Sequence, residues 1–279
     1  MTRIAVNGVQ LNAVMRGEGP SLLLLHGFTG SSGTWTPYLD AWPGVKTIAV
    51  DLLGHGASDS PGDPERYRME RCVGDLVALL DRLGIERTAV LGYSMGGRVA
   101  LHLALSASGG PERLWALVLE SASPGIEDAS EREERRRSDE ALAERIEREG
   151  LERFVAYWEE QPVFASQSRL PDAVRAELRR QRLGNNPVGL ANSLRGLGAG
   201  RQEPVLHQLG ELRVPVLLIA GALDQKYCDL ARRMAAVLPC AQMEIVPEAG
   251  HTVHLEQPEA FDRVVRAFLN THTDCGSRR

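Results

Sequence analysis

Gly92-Tyr93-Ser94-Met95-Gly96 follows the apolar run Thr88-Ala89-Val90-Leu91 and precedes a helix-like run from Gly97 to Ser106. A strand that ends in G-x-S-x-G and turns at once into a helix leaves the serine oxygen projecting from a sharp turn. The flanking glycines are needed because a side chain in so tight a turn collides with neighbouring backbone. The Met95 N–H then sits at a helix start, where it can donate to a developing oxyanion.

A serine hydroxyl needs a neighbour to take its proton. The best partner is His251, in Pro247-Glu248-Ala249-Gly250-His251, just after the β-like run 241–246. A base histidine in turn needs an acceptor on its other nitrogen. Asp224 fits, in Gly221-Ala222-Leu223-Asp224, just beyond the apolar run Val216 to Ala220. Glu120, at the end of the run 115–120, is the rival acid. A second oxyanion donor is expected in His26-Gly27-Phe28-Thr29-Gly30 after the run 21–25, with the Phe28 N–H as candidate beside Met95. His26 and His55 lie in glycine turns and read as structural, and His254 reads as a packing or solvent-facing residue.

Around these motifs, short β-like runs recur at 9–16, 21–26, 46–50, 87–92, 115–120, 215–220 and 241–246, after a first strand and turn within 1–8. Helical patterns at 69–83, 94–106, 228–238 and 257–269 alternate with them. That alternation predicts an α/β fold: a mostly parallel, eight-stranded sheet with helices on both faces and functional groups at the carboxyl ends of the strands. The pattern breaks between about 122 and 207. Residues 130–149 are dense in Glu and Arg, with Leu142, Ile146 and Leu151 on one helical face; Phe154, Val155 and Trp158 continue the spacing; 172–183 reads as another helix. The organisation expected is a core of 1–121 and 208–270, a helical cap of 122–207, and a flexible tail at 271–279.

The 279 residues carry a formal net charge of -5 and four cysteines, Cys72, Cys228, Cys240 and Cys275. The charge supplies no global basic field for nucleic acid, and no apolar run reaches membrane-spanning length. The N-terminus lacks a signal-peptide pattern, and the cysteines show no C-x-x-C, so reduced thiols in a cytoplasmic protein are expected. Oligomeric state is not readable.

The chain resembles the α/β-hydrolase superfamily over nearly its whole length: the His26-Gly27 turn, Asp51-Leu52-Leu53-Gly54-His55-Gly56, the serine turn, the Asp224 loop and Gly250-His251, with the triad in the order Ser, Asp, His. These motifs specify fold more than reaction. Finer features resemble one family within it, the 2-succinyl-6-hydroxy-2,4-cyclohexadiene-1-carboxylate synthases of menaquinone biosynthesis. They are Gly96-Gly97-Arg98, Ser121 to Gly125, Arg135 with Asp139, Trp158, Gln161 to Phe164, Gln181-Arg182-Leu183, Gly189 to Ala191, Ser193 to Gly198 and Leu223 to Tyr227.

That resemblance implies a lyase that removes pyruvate from a succinyl-bearing enolpyruvyl cyclohexene. The triad serine acts as base, and no metal or organic cofactor is implied. It also implies a polycarboxylate substrate, with Arg98, Arg135 and Arg182 as its cationic partners and Tyr93 and Trp158 lining the site. Arginine suits that task because its planar fork bonds two carboxylate oxygens. Arg98 stands four residues after Ser94, on the same helical face, although an ion pair is its plainer use. Arg135 lies in a run of three arginines, and Trp158 spaced with Phe154 reads, by itself, more often as core than as site. Two other functions fit the triad: a carboxylesterase or C–C bond hydrolase with Ser94 as nucleophile, and a non-catalytic ligand-binding protein, against which the complete triad argues.

Overall fold

A computed structural model describes residues 2–110 and 112–273. Eight strands, β1 (Thr2–Val6), β2 (Val9–Arg16), β3 (Ser21–Leu25), β4 (Lys46–Val50), β5 (Thr88–Tyr93), β6 (Leu114–Glu120), β7 (Val216–Gly221) and β8 (Ala241–Val246), form one sheet in the order β1-β2-β4-β3-β5-β6-β7-β8. Pairings β1–β2 and β2–β4 are antiparallel and all others are parallel. The central strands are covered on both faces, so they read as unbroken apolar runs rather than alternating ones. Every residue of β3, β5, β6 and β7 is buried. The period of two still sorts them, with Leu23 and Leu25 in one core layer and Leu22 and Leu24 in the other.

The helices are α1 (Met69–Arg82), α2 (Met95–Leu105), α3 (Ala129–Glu149), α4 (Leu151–Glu159), α5 (Asp172–Leu183), α6 (Pro187–Leu197), α7 (Gln225–Ala235), α8 (Val253–Glu256) and α9 (Pro258–Thr273). Helices α1, α2 and α7 pack on one face of the sheet, and α9 packs on the other with Trp35, Tyr38 and Trp42. Helices α3 to α6 lie between β6 and β7 in sequence. Three of them share a small core of their own, in which Ala143, Ile146, Phe154, Val155, Leu190, Ala191 and Leu194 are buried. Phe28, from the loop after β3, and Trp158 pack against that core. Apart from the buried Asp139 and from Arg135, most of the remainder of α3 is a solvated face laced with ion pairs such as Arg136–Glu133 and Arg145–Glu149.

Four helices differ from the sequence-based expectation, α8 as an unexpected single turn before α9. Helix α6 was not expected: Pro187, Gly189 and Gly196 interrupt its pattern. The proline occupies the first helical turn, where its missing N–H costs nothing, and Asn186 caps the helix by accepting from the Val188 and Gly189 N–H groups. Helix α7 begins at Gln225, three residues earlier than expected, because Asp224 caps it. Helix α9 runs to Thr273, into the expected tail, and residues 274–279, with Cys275, lie outside the described residues. Cys72 and Cys228 are buried free thiols and Cys240 is an exposed one. Among the described residues no helix is long and apolar enough to cross a membrane.

Candidate active site

Ser94 sits between β5 and α2 with φ 51° and ψ −106°, a conformation rarely adopted by a residue with a side chain. The strain is held by close packing. A Cβ at Gly92 would lie 2.3 Å from the Gly96 carbonyl oxygen, and one at Gly96 would lie 2.3 Å from the Leu25 carbonyl oxygen. The Ser94 N–H donates to the Glu120 carbonyl at 2.9 Å, which ties the turn to the end of β6.

His251 Nε2 lies 3.0 Å from Ser94 Oγ, and His251 Nδ1 lies 2.8 Å from Asp224 Oδ2. Asp224 also caps α7 through the Tyr227 N–H, so the carboxylate is oriented from both sides. Glu120 does not reach His251. It is wholly buried and bonds His254 Nδ1 at 2.8–2.9 Å, and His254 is itself buried rather than solvent-facing. His251 packs among the rings of Tyr227, Tyr93 and Phe164, with centroids at 4.5, 5.5 and 6.2 Å. The Phe28 and Met95 N–H groups donate to no acceptor among the described residues. His26 and His55 are fully buried, and burial lowers both pKa values, so both are neutral. His26 Nε2 accepts from the Leu52 N–H, a turn-holding contact.

A cavity of about 970 Å³ opens over the serine. Phe28, Tyr93, Ser94, Met95, Arg98, Arg135, Trp158 and His251 line it. Arg98 is buried and donates to the Leu197 carbonyl at 2.7 Å and to Gln202 Oε1 at 3.2 Å. Burial, and then the neighbouring Arg135, lower its pKa to about 10, so it is still a cation at neutral pH. Of the three consecutive arginines, Arg135 lines this cavity, steered by Asp139 one turn on at 2.7 Å; Arg136 pairs with Glu133.

Arg182 departs from the expectation of three convergent cations. It lines a neighbouring apolar cavity of about 500 Å³, separated from the first by Phe28, Tyr93 and Phe164. There it bonds Glu159 at 3.2 Å and Gln167 at 3.3 Å, and its guanidinium lies 5.2 Å from the Phe164 ring centre. Its Nε is buried and unpartnered among the described residues. Tyr93 faces both cavities and spends its hydroxyl on Thr252 Oγ1 at 3.1 Å. Trp158 is at once wall and core, meeting Phe28, Phe154 and Phe164 at centroid distances of 5.4–5.8 Å. Sequence reasoning missed Tyr227, Gln167, Glu159 and Gln202 as neighbours of these groups. Tyr227 was within reach of it, since it lies one helical turn from the acid.

The model of the alpha/beta hydrolase fold matches residues 20–258. The chain belongs to the alpha/beta hydrolase family. Within that family it groups with the 2-succinyl-6-hydroxy-2,4-cyclohexadiene-1-carboxylate synthases. A Bacillus subtilis protein given that name provisionally is 46% identical over 91% of this chain and 93% of its own length. The synthase of Serratia proteamaculans is 37% identical over 90% of this chain and 94% of its own. The solved structure of MenH from S. aureus superimposes with a TM-score of 0.89 at 34% identity, covering 93% of this chain and 98% of that one. The likeness runs through the α3–α6 insertion as well as the sheet.

Proposed function

We propose that this alpha/beta-hydrolase chain is a lyase. It eliminates pyruvate from 2-succinyl-5-enolpyruvyl-6-hydroxy-3-cyclohexene-1-carboxylate to give 2-succinyl-6-hydroxy-2,4-cyclohexadiene-1-carboxylate. The observation that carries this reading is the meeting of two kinds of group in one cavity. A hydrogen-bonded Ser94–His251–Asp224 relay shares it with Arg98 and Arg135, and Lys226 and Arg233 also line the cavity. A pocket for neutral esters has no use for such cations, whereas this substrate carries three carboxylates. The names of the relatives support the same reaction.

The bond changes follow from the two ring systems. Turning a 3-cyclohexene into a 2,4-cyclohexadiene removes hydrogen from C2 and the oxygen substituent from C5. C2 lies beside the succinyl ketone, so its anion is an enolate. His251 Nε2 takes the Ser94 proton, and Ser94 Oγ takes the proton from C2. The C2–H electrons form C2=C3, the C3=C4 pair moves to C4=C5, and the C5–O bond breaks. The departing enolpyruvate takes up a proton at carbon and becomes pyruvate, and His251 releases its proton to solvent. Asp224 holds the Nδ1–H tautomer and stabilises the transient imidazolium. The Phe28 and Met95 N–H groups are the donors for the enolate oxygen.

Arg98 and Arg135 hold substrate carboxylates in this reading, and Trp158 and Tyr93 shape the wall beside the ring. Arg182 takes a third carboxylate only if the substrate reaches past Phe28 and Phe164, or if Arg182 exchanges Glu159 for it. The test is incubation of the purified protein with the enolpyruvyl substrate, following pyruvate release beside hydrolysis of a p-nitrophenyl ester. Elimination that exceeds ester hydrolysis supports the lyase. Ester turnover without pyruvate release supports the hydrolase.

A further inference from the structure

A second acid–histidine pair lies behind the first. Glu120 and His254 are 0% and 2% exposed. The Glu120 carboxylate accepts both from His254 Nδ1, at 2.8–2.9 Å, and from the His254 main-chain N–H, at 3.0 Å. The elimination as derived above makes no use of either residue. A wholly buried carboxylate is costly to desolvate, and an apolar pair of like volume would stabilise the fold at least as well. What the polar pair adds is direction.

That direction connects the two halves of the relay. Glu120 holds the serine side through its main chain, since its carbonyl accepts the Ser94 N–H at 2.9 Å. It holds the histidine side through its side chain, since His254 lies three residues after His251. His254 is fixed at every polar main-chain atom: its N–H by Glu120, and its carbonyl by the Tyr38 hydroxyl at 2.7 Å. Its ring stands between Trp35 and Tyr93, with centroids at 5.0 and 4.9 Å, and Tyr93 in turn packs on His251. The intervening Thr252 hydroxyl meets Tyr93 and Gln167. Glu256 accepts from the Gly250 and Thr252 N–H groups on the other flank.

We infer that Glu120 and His254 are positioning residues that hold the His251 loop in register with the Ser94 turn, so that the Ser94–His251 contact depends on a carboxylate touching neither. The inference rests on the Ser94–His251–Asp224 reading. It differs from a space-filling role in what it asks of Glu120→Gln. That change keeps volume but places an amide N–H against the Nδ1 edge of His254, which favours the other ring tautomer or a displaced ring.

The experiment compares wild type, Glu120→Gln and Glu120→Ala. It reads kcat and KM for pyruvate release, turnover of a p-nitrophenyl ester, and the deshielded NMR proton that His251 shares with Asp224. In the folded Gln variant kcat should fall about 10- to 100-fold, the size of effect expected from a small misplacement of reacting groups. KM should stay within about 2-fold, because the arginines are untouched. Ester turnover should fall in parallel with elimination, and the His251 proton should shift or broaden. An Ala variant that fails to fold leaves the Gln variant to decide. Wild-type kcat with an unshifted His251 proton in the Gln variant would overturn the inference. Absence of pyruvate release by wild type would instead sink the lyase reading, and the ester and NMR readouts would still decide on Glu120.

Discussion

The loops at the strand ends and the α3–α6 insertion hold their polar groups in different ways. Ser94, Asp224 and His251 are held through main-chain atoms: a strained turn, the helix-start N–H that Asp224 accepts, and a loop whose N–H groups are bonded by the Glu256 and Glu120 carboxylates. Arg135 and Arg182, which the insertion supplies, are fastened by other side chains, Asp139, Glu159 and Gln167, while Arg98 leans on the insertion through Leu197 and on Gln202. Backbone geometry is available to any sequence of the fold, whereas a side-chain network is particular to one substrate. The loops should therefore govern chemistry on every substrate, and the insertion should govern which substrate is used.

The comparison breaks first at the triad. Ser94→Ala and His251→Ala should each lower kcat for elimination by roughly 10³-fold or more, and the double variant should be little worse, because the pair acts as a unit. Asp224→Asn should be similarly severe, since it favours the wrong histidine tautomer. Both ester hydrolysis and elimination should suffer. Near-additive losses from stopped-flow measurements on the double variant would give the serine and histidine separate roles.

In the insertion and its contacts the losses should be smaller and selective. Arg98→Ala and Arg135→Ala should each cost about 10- to 100-fold in kcat/KM for elimination, the worth of a charge-assisted contact of about 1.5–3 kcal/mol. Hydrolysis of a small neutral ester should hardly change in the same proteins. Lysine replacements should recover only part of the loss, because the bidentate fork is gone. Arg182→Ala should cost less than Arg98→Ala, since Arg182 already has Glu159 and stands behind Phe164. An equal or larger loss at Arg182, read as kcat/KM, would mean that the two cavities act as one in the complex.

A finer effect follows from the Arg98 pKa of about 10. Its folded value is lowered below the unfolded one, so the unfolded chain binds the extra proton above pH 10. The stability cost of burying this cation is thus present below about pH 10 and relieved as pH rises through it. Binding runs the other way: the cation is lost over the same range, and kcat/KM, corrected for uncatalysed elimination, should fall about 2-fold by pH 10. The fall should be missing in Arg98→Ala. A pH profile unchanged by that substitution would assign the titration elsewhere.

The two regions were also unequally legible. The strands could be read because a sheet covered on both faces demands continuous apolar runs such as Leu22 to Leu25 and Val216 to Ala220. Ser94, Asp224 and His251 follow the ends of β5, β7 and β8, so reading the strands brought these three candidates into view. Helix α6 could not be read, because its glycines answer to distant partners. Gly189 packs on Gly54 and Gly196 on Tyr67, contacts that no local pattern announces. The same reason hid the placement of Arg182 and the burial of His254: each is decided by residues far along the chain. Arg135 with Asp139 is the instructive exception, since its partner lies one helical turn away and both appear in one stretch.

In this reading one cavity joins base chemistry from the strand ends to carboxylate recognition by Arg98 of α2 and Arg135 of the insertion. The measurement that tests this most directly is kcat/KM for pyruvate release and for p-nitrophenyl ester hydrolysis, in wild type, Arg98→Ala and Arg135→Ala. The expected result is pyruvate release by wild type, unaffected by EDTA, falling about 10- to 100-fold in both variants while ester turnover stays level. Elimination unchanged in both variants, or ester hydrolysis falling in step with it, would contradict the account.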